Sequence, residues 1–277
     1  MSTPPALRLT TRAFIAVLLV LLFVLFLRSW LQIELQQRGM DRKYAGDLSY
    51  LAVFPLVVLM YWAVLREQLH FIAKLFDPGD LSWRLVLTAV VIGILMRVAW
   101  WSQLVARVSF GITRSDDPAA IVGPAFLLDC PPPLVIGLGF LVMAVLVPVT
   151  EEIVHRGVVQ SALVHRGRVV AIASSALIFA VFHPPSSYVF VFLFGIVFGL
   201  QFWNAGTLWS TLITHATYNA LVQLDWRCLQ TQWNPPGPSL PLWTEGTAAT
   251  ASLVVCATFV LWLVTRPAGG ARIEPRQ

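Results

Sequence analysis

Apolar residues dominate this chain so thoroughly that neither a 3.6-residue nor a two-residue period separates one face from another. Run length, and the charged or proline-rich breaks between runs, therefore mark the elements. Eight runs emerge, near residues 13–30, 48–65, 85–105, 134–164, 169–183, 188–203, 208–224 and 248–264. A bilayer-crossing helix needs roughly 20 mainly apolar residues. The pattern thus predicts an all-α, polytopic membrane bundle of about eight transmembrane helices. Trp30, Trp83, Trp203, Trp209 and Trp226 fall near predicted span ends, where amphipathic rings are expected to sit at headgroup level.

Composition agrees with this reading. Of 277 residues, 57% are hydrophobic and 12% charged, and mean hydropathy is +0.75, which excludes a water-soluble surface. The net charge of +5 is dispersed through loops rather than gathered in a run or on one helix face, so it argues against a nucleic-acid partner. Arg8 and Arg12 precede the first apolar run, which ends at Arg28-Ser29-Trp30 without a small-residue cleavage pattern; an uncleaved first span is expected. With eight spans, both termini share a side with Arg66, Lys74, Arg84, Arg166 and Arg168, and the larger share of Lys and Arg predicts that this side is cytoplasmic. Segments 115–133 and 227–245 read as loops too short for a second folded domain. The organisation is a single membrane domain: N-terminal helices and an outward loop (1–133), a core (134–224), and a loop, last helix and tail (225–277). Cys130 and Cys228 fall in outward loops, where a disulfide is conceivable, and Cys256 falls inside a span.

Polar residues interrupt three of the runs. Thr150-Glu151-Glu152-Ile153-Val154-His155-Arg156-Gly157 sits inside the fourth. Ionisable groups within spans cost a few kcal/mol each and normally face a protein interior or a watery cavity. Glu152 and Arg156 are four residues apart with the acid first, a favourable direction for pairing, so this pair reads equally well as structural. Glu151, beside a second carboxylate, is the stronger candidate for acid/base chemistry. His183 closes the fifth run before Pro184-Pro185. Glu151 lies fifteen residues before Arg166 and His183 fifteen after Arg168. At 1.5 Å per residue, both reach a depth of roughly 22 Å on antiparallel neighbours, where they can meet. His215 and Asn219, four residues apart in the seventh run, share a helix face. Pro148 is placed to kink its helix near Glu151.

These motifs resemble those of the CPBP family, the CAAX protease and bacteriocin-processing (Abi) proteins: a paired-glutamate EExxxR, an FxxxH and a later HxxxN. Glu151-Glu152 with Arg156, Phe179 with His183, and His215 with Asn219 supply them in order. Phe194-Gly195, Gly199 and Gly206-Thr207-Leu208 are similar to the intervening pattern. The resemblance covers about residues 148–221; His155 stands where the family often has an aromatic residue.

The resemblance implies an intramembrane glutamic endopeptidase without a cofactor, acting on a membrane-associated or lipid-anchored protein in processing, maturation or C-terminal sorting, and the compact chain points to a bacterial plasma membrane. Glu151 would activate water with help from His183, and His215 and Asn219 would stabilise the oxyanion. Glu152 and Arg156 would support the site. These residue types suit the chemistry, because a carboxylate takes a proton from water while imidazole and amide groups donate to developing negative charge. Glu151, His183 and His215 also form a carboxylate and bis-imidazole set that zinc accepts, although no HExxH occurs. A zinc-dependent protease, a proton-coupled transporter and a noncatalytic bacteriocin-immunity protein stay open as alternatives.

Overall fold

A computed structural model describes residues 6–7, 9–110, 112, 133–223 and 242–265. Its elements are α1 (Thr11–Gln37), α2 (Arg42–Leu65), the short α3 (Leu69–Lys74) and α4 (Trp83–Ser109). A long composite helix, α5 (Pro133–Arg166), follows, then α6 (Arg168–Val181), α7 (Tyr188–Ala205), α8 (Leu208–Gln223) and α9 (Leu242–Thr265). The all-α bundle expected from the runs is what forms, and no strand occurs among the described residues. Six helical stretches are long and apolar enough to cross a bilayer. The other two predicted spans become α6 and α8, of 14 and 16 residues. At 1.5 Å per residue these reach roughly 21–24 Å, short of a bilayer core, and α8 carries Thr211, Thr214, His215 and Asn219 in its buried part. Their polar groups are satisfied by neighbouring helices instead of lipid. Cys130, Cys228 and Trp226 lie outside the described residues; Cys256 is a buried free thiol on α9.

Packing places α8 at the centre. It lies against α4, α5 and α7, while α9 runs along α4 and α6 along α7. The α4–α8 approach is close because Gly93 meets α8 without a side chain; a Cβ there would stand 2.7 Å from the Thr214 carbonyl oxygen. The α5–α6 hairpin turns at Gly167, whose φ of +95° favours a residue without a Cβ. At its N-terminus α8 is tied to the end of α3: the Leu208 amide and the Thr207 hydroxyl both donate to the Leu75 carbonyl, each at 2.9 Å. The predicted interfacial roles divide. Trp30 and Trp83 are exposed as expected, whereas Trp203 is buried against Ala171 and Ile172, because its helix turns inward over α6.

α5 is not a uniform α-helix. Residues Phe140–Leu146 and Ile153–Gln160 follow the wider π pattern, on either side of Val147–Glu152. Such widened turns occur frequently at functional sites. The first has a direct cause in Pro148. The Val147 amide donates to Val142, five residues back. In the same register the Met143 carbonyl would pair with residue 148, a proline with no N–H. That carbonyl is left for another donor.

Candidate active site

Asn219 on α8 supplies the donor: its Nδ2 gives a hydrogen bond to the Met143 carbonyl at 2.7 Å. Pro148 thus acts on the site through the backbone, anchoring the α8 motif to α5. One turn earlier on α8, the His215 ring stacks on Phe198 at 5.0 Å between centroids and meets Phe179 edge-on at 6.0 Å. The ring therefore has little freedom to rotate. Its Nδ1 lies 2.9 Å from Glu152 Oε1, and its Nε2 lies 3.7 Å from Glu151 Oε2.

The two adjacent glutamates have different surroundings. Glu152 is wholly buried and shares Oε1 with Arg156 Nη1, 3.1 Å away, in an ion pair whose two side chains are both 0% exposed. Arg156 also donates from Nη2 to the Gly195 carbonyl at 3.2 Å, and its guanidinium lies over the Phe179 and Phe198 rings at 4.7 and 5.0 Å. One turn on, Gln160 donates to the Gly199 carbonyl at 2.9 Å. Residues 152, 156 and 160 thus form a ladder along α5 that reaches backbone carbonyls of α7, and the same glycines let α7 pack closely on α6. A Cβ at Gly195 would stand 2.8 Å from Ala176 Cα, and one at Gly199 would stand 2.8 Å from Ile172 Cγ2. Glu151, by contrast, keeps 27% of its side chain exposed, although the Oε2 atoms of both glutamates are buried without a hydrogen-bond partner. The exposed part of Glu151 gives it the access that a reacting carboxylate requires.

His183 lies two residues beyond α6, and its Nδ1 hydrogen-bonds the Phe179 carbonyl at 2.8 Å. No hydrogen bond or ion pair joins it to Glu151, although the two depths along the hairpin were expected to match. His183 enters the cluster through Phe179, whose ring is 4.7 Å from its own. The imidazole in ion-pair range of Glu151 is His215. The π stretch at Ile153–Gln160 lies between Glu151 and the hairpin turn and alters the rise and phase that a regular α-helix would have there. His155 takes up an aromatic position, buried edge-on against Phe179 at 5.1 Å, while Ser175 holds its backbone carbonyl at 2.8 Å.

Two contributors lie outside the motifs. Tyr50 on α2 places its hydroxyl 2.6 Å from Thr150 Oγ1, and Thr150 in turn donates to the Leu146 carbonyl at 2.9 Å, so the N-terminal helices hold the residue next to Glu151. No sequence signal distinguishes Tyr50. Arg97 is buried in α4, with its guanidinium 5.2 Å from the Trp101 ring centroid, and it lies near the Tyr218 hydroxyl on α8. An arginine in an otherwise uncharged run was a readable signal. Among the described residues, no three His, Cys, Asp or Glu side chains converge into a group that could hold a metal ion.

The fold and this cluster define a polytopic helical membrane protein with a carboxylate and imidazole site enclosed between helices. Residues 133–221 match the family model described as Type II CAAX prenyl endopeptidase Rce1-like, so this core is similar to the CAAX protease family. Comparison with curated proteins and with solved structures gives no match.

Proposed function

We propose that the protein is an intramembrane endopeptidase of the glutamic type, which hydrolyses a peptide bond in a membrane-associated or lipid-anchored protein during its processing, maturation or C-terminal sorting. The observation that carries this reading is the contrast between the two glutamates. Glu152 is consumed by Arg156 and His215, while Glu151 is partly exposed and lies 3.7 Å from an imidazole. Such a carboxylate is suited to take a proton from water as that water attacks a peptide carbonyl.

In this mechanism Glu151 is the base. His183 assists: its Nδ1 donates to the Phe179 carbonyl, which only accepts, so Nε2 is a proton acceptor in the neutral ring. Asn219 holds its side chain to α5 through one N–H and has a second for the oxyanion, with His215 beside it. Glu152 and Arg156 support the site without touching the reacting atoms. No cofactor is required, and the zinc alternative is answered by a chelator test. The larger share of Lys and Arg on the side of the termini supports placing both termini in the cytoplasm.

The test is reconstitution in lipid with prenylated CAAX tails, bacteriocin leader peptides and C-terminal sorting anchors as separate substrates, comparing wild type with Glu151→Gln, His183→Ala and His215→Ala. Cleavage of one class by wild type and its loss in folded Glu151→Gln are expected. Undiminished cleavage by that variant refutes the mechanism.

A further inference from the structure

The geometry points to Glu152 as the positioning residue that fixes the tautomer of His215, so that His215 enters the reaction as a proton acceptor and becomes a donor only after receiving the proton that Glu151 takes from water. The catalytic part of this inference rests on the peptidase reading above; the tautomer assignment does not. Arg156 is charged at any relevant pH, and the Glu152 carboxylate paired with it is an acceptor only. The 2.9 Å contact between Glu152 Oε1 and His215 Nδ1 therefore has Nδ1 as the donor. In the neutral ring, Nε2 then bears a lone pair, and it is Nε2 that faces Glu151. A neutral His215 held in this way cannot donate a hydrogen bond to an oxyanion.

The groups around the ring leave few other assignments. Phe198 stacks on one face and Phe179 meets it edge-on, so a ring flip that would exchange the two nitrogens is opposed by packing on α7 and α6. The charged groups in ion-pair range are Glu151 and Glu152, with Arg156 behind the latter. A carboxylate behind an imidazole sets its tautomer and stabilises the imidazolium when it forms.

The proton path follows. Water gives a proton to Glu151 as its oxygen bonds to the peptide carbon. Glu151 passes that proton across to His215 Nε2, closing 3.7 Å to hydrogen-bond distance, a movement of roughly 1 Å. The imidazolium, balanced by Glu152, donates first toward the oxyanion and then to the departing amine as the C–N bond breaks. His215 returns to its neutral Nδ1–H form, and the products are a carboxyl terminus and an amine.

The experiment is nitrogen NMR of the full chain, labelled at histidine and held in lipid nanodiscs, with the His215 ring assigned by its absence in His215→Asn. A neutral His215 protonated at Nδ1 in the resting wild type is expected, and folded Glu152→Met, which removes the acceptor that glutamine would keep, should lose that tautomer and lower kcat about 100-fold while changing KM less than about threefold. If Glu152→Met does not fold because Arg156 loses its anion, the double variant Glu152→Met/Arg156→Met removes both charges and the acceptor, and the same shifts are expected. An Nε2–H ring or an imidazolium in resting wild type overturns the proposal, as does an unchanged tautomer and kcat in either folded variant. A chain that shows the Nδ1–H ring but cleaves no substrate supports the tautomer assignment and refutes the peptidase reading, so the two failures are distinguishable.

Discussion

Glu151 and Glu152 are consecutive in the chain, yet one keeps 27% of its side chain exposed while the other is sealed at 0% between Arg156 and His215. Substitution should therefore separate them by what is lost. Glu151→Gln keeps shape and removes the base, so it should lower kcat by at least about 100-fold and leave thermal unfolding in lipid close to wild type. Parallel turnover and unfolding measurements check both halves.

Arg156 should behave as a structural residue. Arg156→Ala leaves the buried Glu152 carboxylate without its ion pair and removes the Gly195 contact, at a cost of about 3–5 kcal/mol. The charge-free double variant Glu152→Gln/Arg156→Met should recover much of that loss, since no unpaired charge is then left in the bundle. Denaturant unfolding of wild type and the two variants in detergent is the check.

The glycines of α7 and α5 give an internally controlled pair. Gly195→Ala brings a Cβ within 2.8 Å of Ala176 Cα, a backbone clash that must separate α6 from α7, and should cost about 1–3 kcal/mol. Gly137→Ala meets nothing within 4 Å on a helix and should be neutral or stabilising by up to about 1 kcal/mol. Melting temperatures in one detergent compare them directly.

Tyr50→Phe removes the hydroxyl that reaches Thr150, next to Glu151, and should cost about 1 kcal/mol of stability. If the N-terminal helices position the base, kcat should fall several-fold with KM little changed. Steady-state kinetics on the cleaved substrate measure this.

Chelation should leave cleavage unchanged within about twofold if Glu151 works on water without a metal. The assay is the reconstituted cleavage with and without prolonged chelator treatment, together with metal analysis of the purified protein. Stoichiometric zinc and lost cleavage would restore the zinc alternative.

The residues at these positions were legible in the sequence because charge and imidazole groups are conspicuous in apolar runs. Residue types, run lengths and breaks thus determined the helical membrane architecture, the polar motifs and the family resemblance. Pairing was not legible, since a helix apolar on every side has no amphipathic phase to show which face is inward. Tertiary structure decided that His215 comes within ion-pair range of Glu151, and that Glu152 stands behind it. The physical reason is local. Pro148 removes a donor beside one π stretch, and a second π stretch changes the helix phase just after the glutamates. Glycines on α7 then set how closely the helices approach. Such sub-turn changes in phase leave the run pattern unchanged, but they determine which side chains come together.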